Sequence, residues 1–561
     1  MKNRCLSFFA ALFALIITGC TTQLTKPEPG YAAFEYLKYS GNDPVYNSIV
    51  AEPDEYLNPI LAGFYPDPSI TRVGKDYYLV NSTFAFFPGI PVFHSTDLVN
   101  WEQIGSVLDR STQVSFDSLG ISQAVFAPAI SYHDSIFYVV NTIVGGIGNF
   151  VVTAKDPAGP WSDPIQLPFE GIDPSLFFDD DGKAYMVNNG APDYPPTYNG
   201  HRAIWMQEFD YDSMKMKGPR KVIIDGGSDI SKKPIWIEGP HVYKVNGYYY
   251  LSAAEGGTFE DHSQVIFRSK NVWGPYIPWD KNPILTQRNL PADRPYPVTS
   301  TGHMDMVETQ NGEWWAVFLG CTPYEHNYYN TGRQTFLLPV NWENNWPTVL
   351  KNLEEVPYKH SKPDLPEAEK ASVPMNGNFT LTEEFNDTLL PLNFNFIRIP
   401  ESKWYTIQNG KLLIKARNQS LSEVSQPSFI GRRQQHDYCE VETELQFEPT
   451  DNGDKAGLAV FQNEQHYYLL AITMKADEKH IVLEKSSPKG VVEITDSTVA
   501  QSDNPIQLRI KARGAYYDFY YSENDSVWNE IGTGLDARLL STAEAGGFVG
   551  AYFGMYAYTE K

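Results

Sequence analysis

Three acidic residues hold the same place in a recurring phrase, and a set of that kind can do acid–base chemistry. Asp67-Pro68-Ser69-Ile70 leads to Gly74-Lys75-Asp76-Tyr77-Tyr78, Asp173-Pro174-Ser175-Leu176 to Gly182-Lys183-Ala184-Tyr185, and Glu238-Gly239-Pro240-His241 to Gly247-Tyr248-Tyr249-Tyr250. Two further copies begin with Ala127, in Ala127-Pro128-Ala129-Ile130, and with His303, in His303-Met304-Asp305-Met306. Carboxylates converging from separate copies on one pocket repel one another. One pKa is then pushed up while another group stays ionised, so an acid and a base coexist at one pH. Asp before Pro-Ser is also ordinary turn chemistry, but three acids in one register favour the functional reading. His303 reads first as a hydrogen-bonded structural residue, with an ion or a water as the alternative. No His pair at ligand spacing and no cysteine cluster supports metal catalysis.

The elements that must position these residues are strands. The first residues of the five copies lie 60, 46, 65 and 65 positions apart, a spacing that points to a repeat architecture. Each copy runs from a β-rich stretch through a turn, such as Gly74-Lys75-Asp76, Asp181-Gly182, Asn246-Gly247 or Asn311-Gly312, to an aromatic stretch, and so reads as a hairpin. Closing phrases such as Gly159-Pro160-Trp161 add further strands. Three or four strands per unit, five times over, is what a five-bladed propeller requires, and it would bring Asp67, Asp173 and Glu238 to a common axis. Prolines among charged residues at 352–374 mark a linker. Beyond it, Cys439, Val441, Thr443, Leu445 and Phe447 alternate with Glu440, Glu442, Glu444, Gln446 and Glu448, a strand with one wet and one dry face, so residues 375–561 read as a β-sandwich.

At 561 residues more than one domain is expected. Residues 1–19 carry Lys2, Arg4 and the apolar run Leu6 to Ile17, a signal peptide too short to span a membrane. Ile17-Thr18-Gly19-Cys20 resembles a bacterial lipobox, which would leave Cys20 lipid-anchored, with 20–57 as a tether and the outer membrane as the expected location. A secreted or periplasmic chain is the alternative. Cys321 and Cys439, the other mature cysteines, offer no disulfide framework. A net charge of −24 argues against nucleic acid and permits a neutral substrate.

Several phrases together resemble glycoside hydrolase family 43: Asn58 to Ser69, Glu238-Gly239-Pro240-His241, Ala254-Glu255-Gly256-Gly257, Thr301-Gly302-His303 and Gly332-Arg333-Gln334-Thr335-Phe336. The resemblance is to β-xylosidase and α-L-arabinofuranosidase members with a C-terminal sandwich, and it spans about residues 57–561. It implies an all-β chain, a five-bladed propeller at 58–351 followed by a concanavalin-like β-sandwich at 375–561, and hydrolysis with inversion. By the same resemblance Asp67 matches the general base, Glu238 the general acid and Asp173 the residue that tunes the acid's pKa. Arg333 matches a binder of substrate hydroxyls, although the family usually has Glu where Gln334 stands. Phe84 resembles the aromatic wall of the sugar subsite, with Phe86 replacing an expected tryptophan, and Phe548 a sandwich residue inserted into the mouth of the site. No cofactor is required. His303 matches an axial histidine that could hold a calcium ion through water.

The expected activity is release of terminal xylose from xylo-oligosaccharides. α-L-Arabinofuranosidase action on arabinoxylan or arabinan is the alternative, and a non-catalytic surface glycan-binding lipoprotein is a more distant one. A retaining β-fructosidase also joins a propeller to a sandwich, but its Asn-Asp-Pro-Asn-Gly and Arg-Asp-Pro phrases are missing.

Overall fold

A computed structural model describes residues 27–351, 353–498, 504–524 and 527–561. The expected signal peptide and Cys20 lie outside them. Among the described residues no helix is long and apolar enough to cross a membrane.

The repeats are antiparallel blades built on a meander of four strands, the second and fourth carrying a fifth, short strand. The first holds Ser69–Val73, Asp76–Val80, Gly89–Ser95 and Glu102–Leu108. The next four open with Ala129–His133, Ile172–Phe178, Glu238–Val245 and Thr299–Glu308. Local sequence explains the hairpins. Val245 pairs with Tyr248, leaving Asn246 (φ 50°) and Gly247 (φ 73°) as a two-residue turn. Both positions need positive φ, which Asn and Gly accept most readily.

The five opening strands touch in a closed ring around the axis. Asp305, on the fifth blade, accepts hydrogen bonds from Ser69 Oγ (2.8 Å), the Ile70 amide (2.9 Å) and Tyr243 Oη (2.6 Å), joining blades one, four and five. Ser69 Oγ in turn accepts from the Ile130 amide of blade two at 3.1 Å. The segment ahead of the first blade completes the ring. Leu61 and Thr335 exchange backbone hydrogen bonds of 3.2 Å, and the Asn58 side chain bonds both the amide (2.9 Å) and the carbonyl (3.0 Å) of Leu337.

The second body is a sandwich of two eight-stranded antiparallel sheets. Tyr438–Gln446 shows the expected alternation, Cys439, Val441, Thr443 and Leu445 buried and the intervening glutamates partly exposed.

Two boundaries differ from the sequence reading. The tether assigned to 20–57 includes Tyr31–Gly41, which lies inside a sandwich sheet between Lys411–Lys415 and Tyr438–Gln446. A register shift between Phe34 and Leu37 breaks its alternation, which hid a strand burying Phe34, Leu37 and Tyr39. Of the expected linker, the described residues 353–374 are bound to the propeller: Lys359–Ser361 pairs with Glu55–Leu57, and Leu365 and Val373 pack on the core between the first and fifth blades.

Candidate active site

Four of the five opening strands meet the axis with irregular backbone. Asp67, Asp173 and His303 have φ of 52°, 53° and 50°, and Gly239, beside Glu238, has 56°. The ladder is interrupted between Ile172 and Ser175, between Glu238 and His241, and between Gly302 and Asp305. Such interruptions re-aim a side chain out of the pleat. Left-handed backbone costs a non-glycine residue about 1–2 kcal/mol, a strain that tends to gather at functional sites. At Gly239 a Cβ would lie 2.8 Å from His303 Nε2, so only glycine lets these two strands approach.

The side chains converge on a pocket of about 490 Å³, lined among others by Asp67, Asp173, Glu238, His303 and Arg333. Arg333 Nη1 donates to Asp67 Oδ1 at 2.7 Å, Ser82 Oγ donates to Asp67 Oδ2, and His303 Nδ1 lies 3.8 Å from Asp67 Oδ1. The amide of Gly239 donates to Asp173 Oδ2 at 3.3 Å. One wall is aromatic. Phe548, from the sandwich, stacks on Phe84 (centroids 5.7 Å, 19° between planes) and meets Phe126 edge-on at 5.9 Å. The Arg333 guanidinium lies 5.8 Å from the centroids of both Phe84 and Phe548.

The sandwich segment is fixed against the propeller. The Phe548 amide donates to Ser122 Oγ at 3.0 Å and the Ala551 amide to the Asn330 carbonyl at 2.8 Å. Gly332 (φ 73°) packs on Gly550 so closely that a Cβ at 332 would sit 3.0 Å from the Gly550 Cα. On the opposite side Glu255 accepts from the Ser228 amide (2.9 Å) and hydroxyl (2.8 Å), tying down the loop that carries Ile235 and Trp236 to the rim.

The carboxyls are driven apart. Burial raises the Asp67 pKa, but Arg333, His303 and the Ser82 hydroxyl outweigh it and hold the group below the usual carboxylate range. Glu238 is pushed well above its ordinary value by burial, then by the like charges of Asp173 and Asp67. Asp173 rises as well, from burial and from Asp67, against the Gly239 amide that stabilises its charge. The Asp173–Glu238 pair therefore retains a proton at a pH where Asp67 is ionised. Burial lowers His303 to about 4 despite the pull of Asp67, leaving a neutral imidazole at neutral pH.

Asp67, Asp173, Glu238, Arg333, His303, Phe84 and Phe548 thus share one pocket. Phe86 does not. It is fully buried, stacks on Tyr552 at 3.9 Å, and with Phe87 forms the edge of a sandwich sheet against Phe396 and Ile397. Its position matches the tryptophan expected from the family resemblance, but the chain crosses into the sandwich there. Phe126, Ser82 and Trp236 were not singled out. Phe126 immediately precedes Ala127, the first residue of the second copy, and that adjacency was the available signal. The calcium expected at His303 is held through water and so needs no direct set of protein ligands. Asp67 is engaged by Arg333, both Asp305 oxygens are occupied, and among the described residues no three His, Cys, Asp or Glu side chains form a metal cluster.

A propeller axis bearing one ionised and one protonated carboxyl, in a sugar-sized pocket with an aromatic wall, defines a glycoside hydrolase. The model for glycosyl hydrolases family 43 matches residues 56–347, and that for the β-xylosidase C-terminal concanavalin A-like domain matches 382–561; the chain belongs to glycoside hydrolase family 43. A xylosidase/arabinosidase of Butyrivibrio fibrisolvens is 39% identical over 507 residues, covering 89% of this chain and 95% of its own. A non-reducing-end α-L-arabinofuranosidase of Bacteroides ovatus is 37% identical, covering 90% and 91%. The crystal structure of a family 43 enzyme from a capybara gut metagenome superposes with a TM-score of 0.89 at 42% identity, covering 95% of this chain and all of that one.

Proposed function

We propose that the enzyme removes a terminal pentose from the non-reducing end of plant cell-wall oligosaccharides, with xylo-oligosaccharides as the principal substrate and xylose as the product, and that it inverts the anomeric centre. The observation that carries this reading is the opposite displacement of two buried carboxyl pKa values in one pocket: Asp67 held down, Glu238 pushed up. Asp67 takes a proton from water as the water oxygen attacks the anomeric carbon. Glu238 gives its proton to the glycosidic oxygen as the carbon–oxygen bond breaks. Asp173 keeps Glu238 protonated by repulsion. Arg333 spends Nη1 on Asp67 and lines the pocket beside it, where its guanidinium suits a sugar hydroxyl. Phe548, entering from the sandwich beside Phe84, closes one end of the pocket, which suits cutting one terminal unit.

α-L-Arabinofuranosidase activity is a second reading, favoured by relatives named for both sugars. The test compares kcat/KM on an aryl β-D-xyloside and an aryl α-L-arabinofuranoside while NMR follows the anomer released. A preference for the xyloside with α-xylose formed first is expected; β-xylose formed first would refute inversion. The reaction needs no cofactor, since paired carboxyls supply both proton transfers. We further propose a lipid anchor at Cys20 in the bacterial outer membrane, supported by the charged start, the apolar run and Gly19-Cys20. Labelling of wild type but not Cys20→Ala by a fatty acid would test it.

A further inference from the structure

A charged side chain from the third blade reaches the segment that leads into Glu238 on the fourth. Arg202 stands at the entry to the third-blade strand Ala203–Asp210, where its carbonyl accepts from the Gly226 amide at 3.0 Å. The buried His201 before it lies 2.9 Å through Nε2 from Asp225 Oδ1, whose other oxygen accepts from Tyr194 Oη at 2.7 Å. The guanidinium is then fixed on two sides. Its Nε and Nη2 both donate to Asn189 Oδ1, at 3.0 and 2.6 Å, and its Cζ lies 4.7 Å from the centroid of the Trp236 ring. Among aromatic faces the indole attracts a cation most strongly. Asn189 is fully buried, and its Nδ2 donates to the Ile237 carbonyl. Trp236 has left-handed backbone (φ 59°), and its amide donates to the Gly200 carbonyl at 2.8 Å. Its side chain lines the pocket and hydrogen-bonds Glu238. One chain of contacts thus runs from Asn189 through Arg202 and Trp236 to the acid. The charge of Arg202 is felt there too: burial lowers its pKa, and Asp173 and then Glu238 oppose the change.

We propose that Arg202 is a positioning residue for the general acid: clamped by Asn189 and laid over Trp236, it fixes Trp236 and Ile237 so that the Glu238 carboxyl meets the glycosidic oxygen. Regular pairing alone does not fix this acid. Trp236 and Ile237 precede the strand Glu238–Val245, and the ladder is broken again between Glu238 and His241. A general acid works only within hydrogen-bond reach of the oxygen it protonates, and a displacement of about 1 Å can cost about 100-fold in rate. The clamp needs a planar fork, because two nitrogens share one oxygen while the flat face covers the ring. Lysine supplies neither. The proposal rests on Glu238 being the acid, as in the function proposed above.

The test is kcat/KM of the full chain on xylobiose and on an aryl β-D-xyloside with an acidic phenol, with matched thermal unfolding. Arg202→Met, which keeps the length and removes the fork, should lose about 10- to 100-fold on xylobiose, which needs the acid, and less than about 3-fold on the aryl substrate. Asn189→Ala should give the same split. The double variant should lose no more than the larger single loss, because the two residues act through one contact. Arg202→Lys should cleave xylobiose no better than Arg202→Met. Three results would overturn the proposal: equal losses on both substrates in folded Arg202→Met, full activity of Arg202→Lys, or additive losses in the double variant. Glu238→Gln tells the failures apart. If that variant shows the split between substrates and Arg202→Met does not, only the positioning role falls; if Glu238→Gln shows none, the acid assignment falls and the role of Arg202 with it.

Discussion

Replacing Glu238 by Gln tests the division of labour most directly. The side chain is 8% exposed and its environment favours the neutral form, so an isosteric neutral amide should fit without disturbing the fold. What the variant loses is the proton. A positioned general acid contributes about 10²- to 10⁴-fold, equivalent to about 3–5 kcal/mol of barrier at 1.36 kcal/mol per decade. That loss should appear in full on xylobiose, whose departing sugar is a poor leaving group and must be protonated as the bond breaks. An aryl xyloside with an acidic phenol departs as its anion and needs little help, so its kcat/KM should fall less than about 10-fold. The assay is kcat/KM for both substrates on purified wild type and variant, with matched thermal unfolding as the control for folding. Equal losses on the two substrates would show that Glu238 is not the acid. Equal losses are what removal of the base would give, because water must be activated whichever group departs.

The pH dependence follows from the same charges. With Asp67 as the proposed base and Glu238 as the proposed acid, kcat/KM should rise through the low pKa of Asp67 and fall through the raised pKa of the Asp173–Glu238 pair. Asp173→Asn removes a like charge that raises Glu238, and the alkaline limb should move to lower pH; an unmoved limb would mean that burial alone sets the acid. Arg333→Gln removes a positive charge that lowers both Asp67 and Glu238, and both limbs should move to higher pH. Phe86→Ala, at a fully buried ring stacked on Tyr552, should cost about 3–5 kcal/mol of stability and lower Tm, while KM of the folded enzyme stays unchanged; a raised KM would return Phe86 to the sugar site.

The blades were legible because each copy repeats the same physical problem. An opening strand must face the axis, a short turn must follow, and an aromatic strand must cover it, so Asp67, Asp173, Glu238 and His303 could be placed in register from spacing alone. Where the chain leaves that pattern, local signals fail. Tyr31–Gly41 is a sandwich strand separated from its partners by some 340 residues or more of sequence, and its bulge erases the alternation that would have identified it. Phe84 and Phe86 are two residues apart with similar neighbours, yet one lines the pocket and the other joins a sheet of the sandwich. Only the docking of the two bodies decides between them, and that docking is a property of paired surfaces rather than of either segment.

The same docking separates what the two bodies contribute to one site. The carboxyls, Arg333 and His303 all come from the propeller, and their electrostatics depend on burial and on one another. The sandwich supplies Phe548, and the close approach of Gly332 to Gly550 holds it on Phe84 and above Arg333. Burial of the carboxyls at the base of the pocket is set by the ring of opening strands, whereas the shape of its mouth is set by the sandwich contact. Chemistry and substrate length are thereby assigned to different surfaces. Substitutions along 546–551 should change which sugars fit while leaving the pH profile in place, and substitutions on the opening strands should do the reverse.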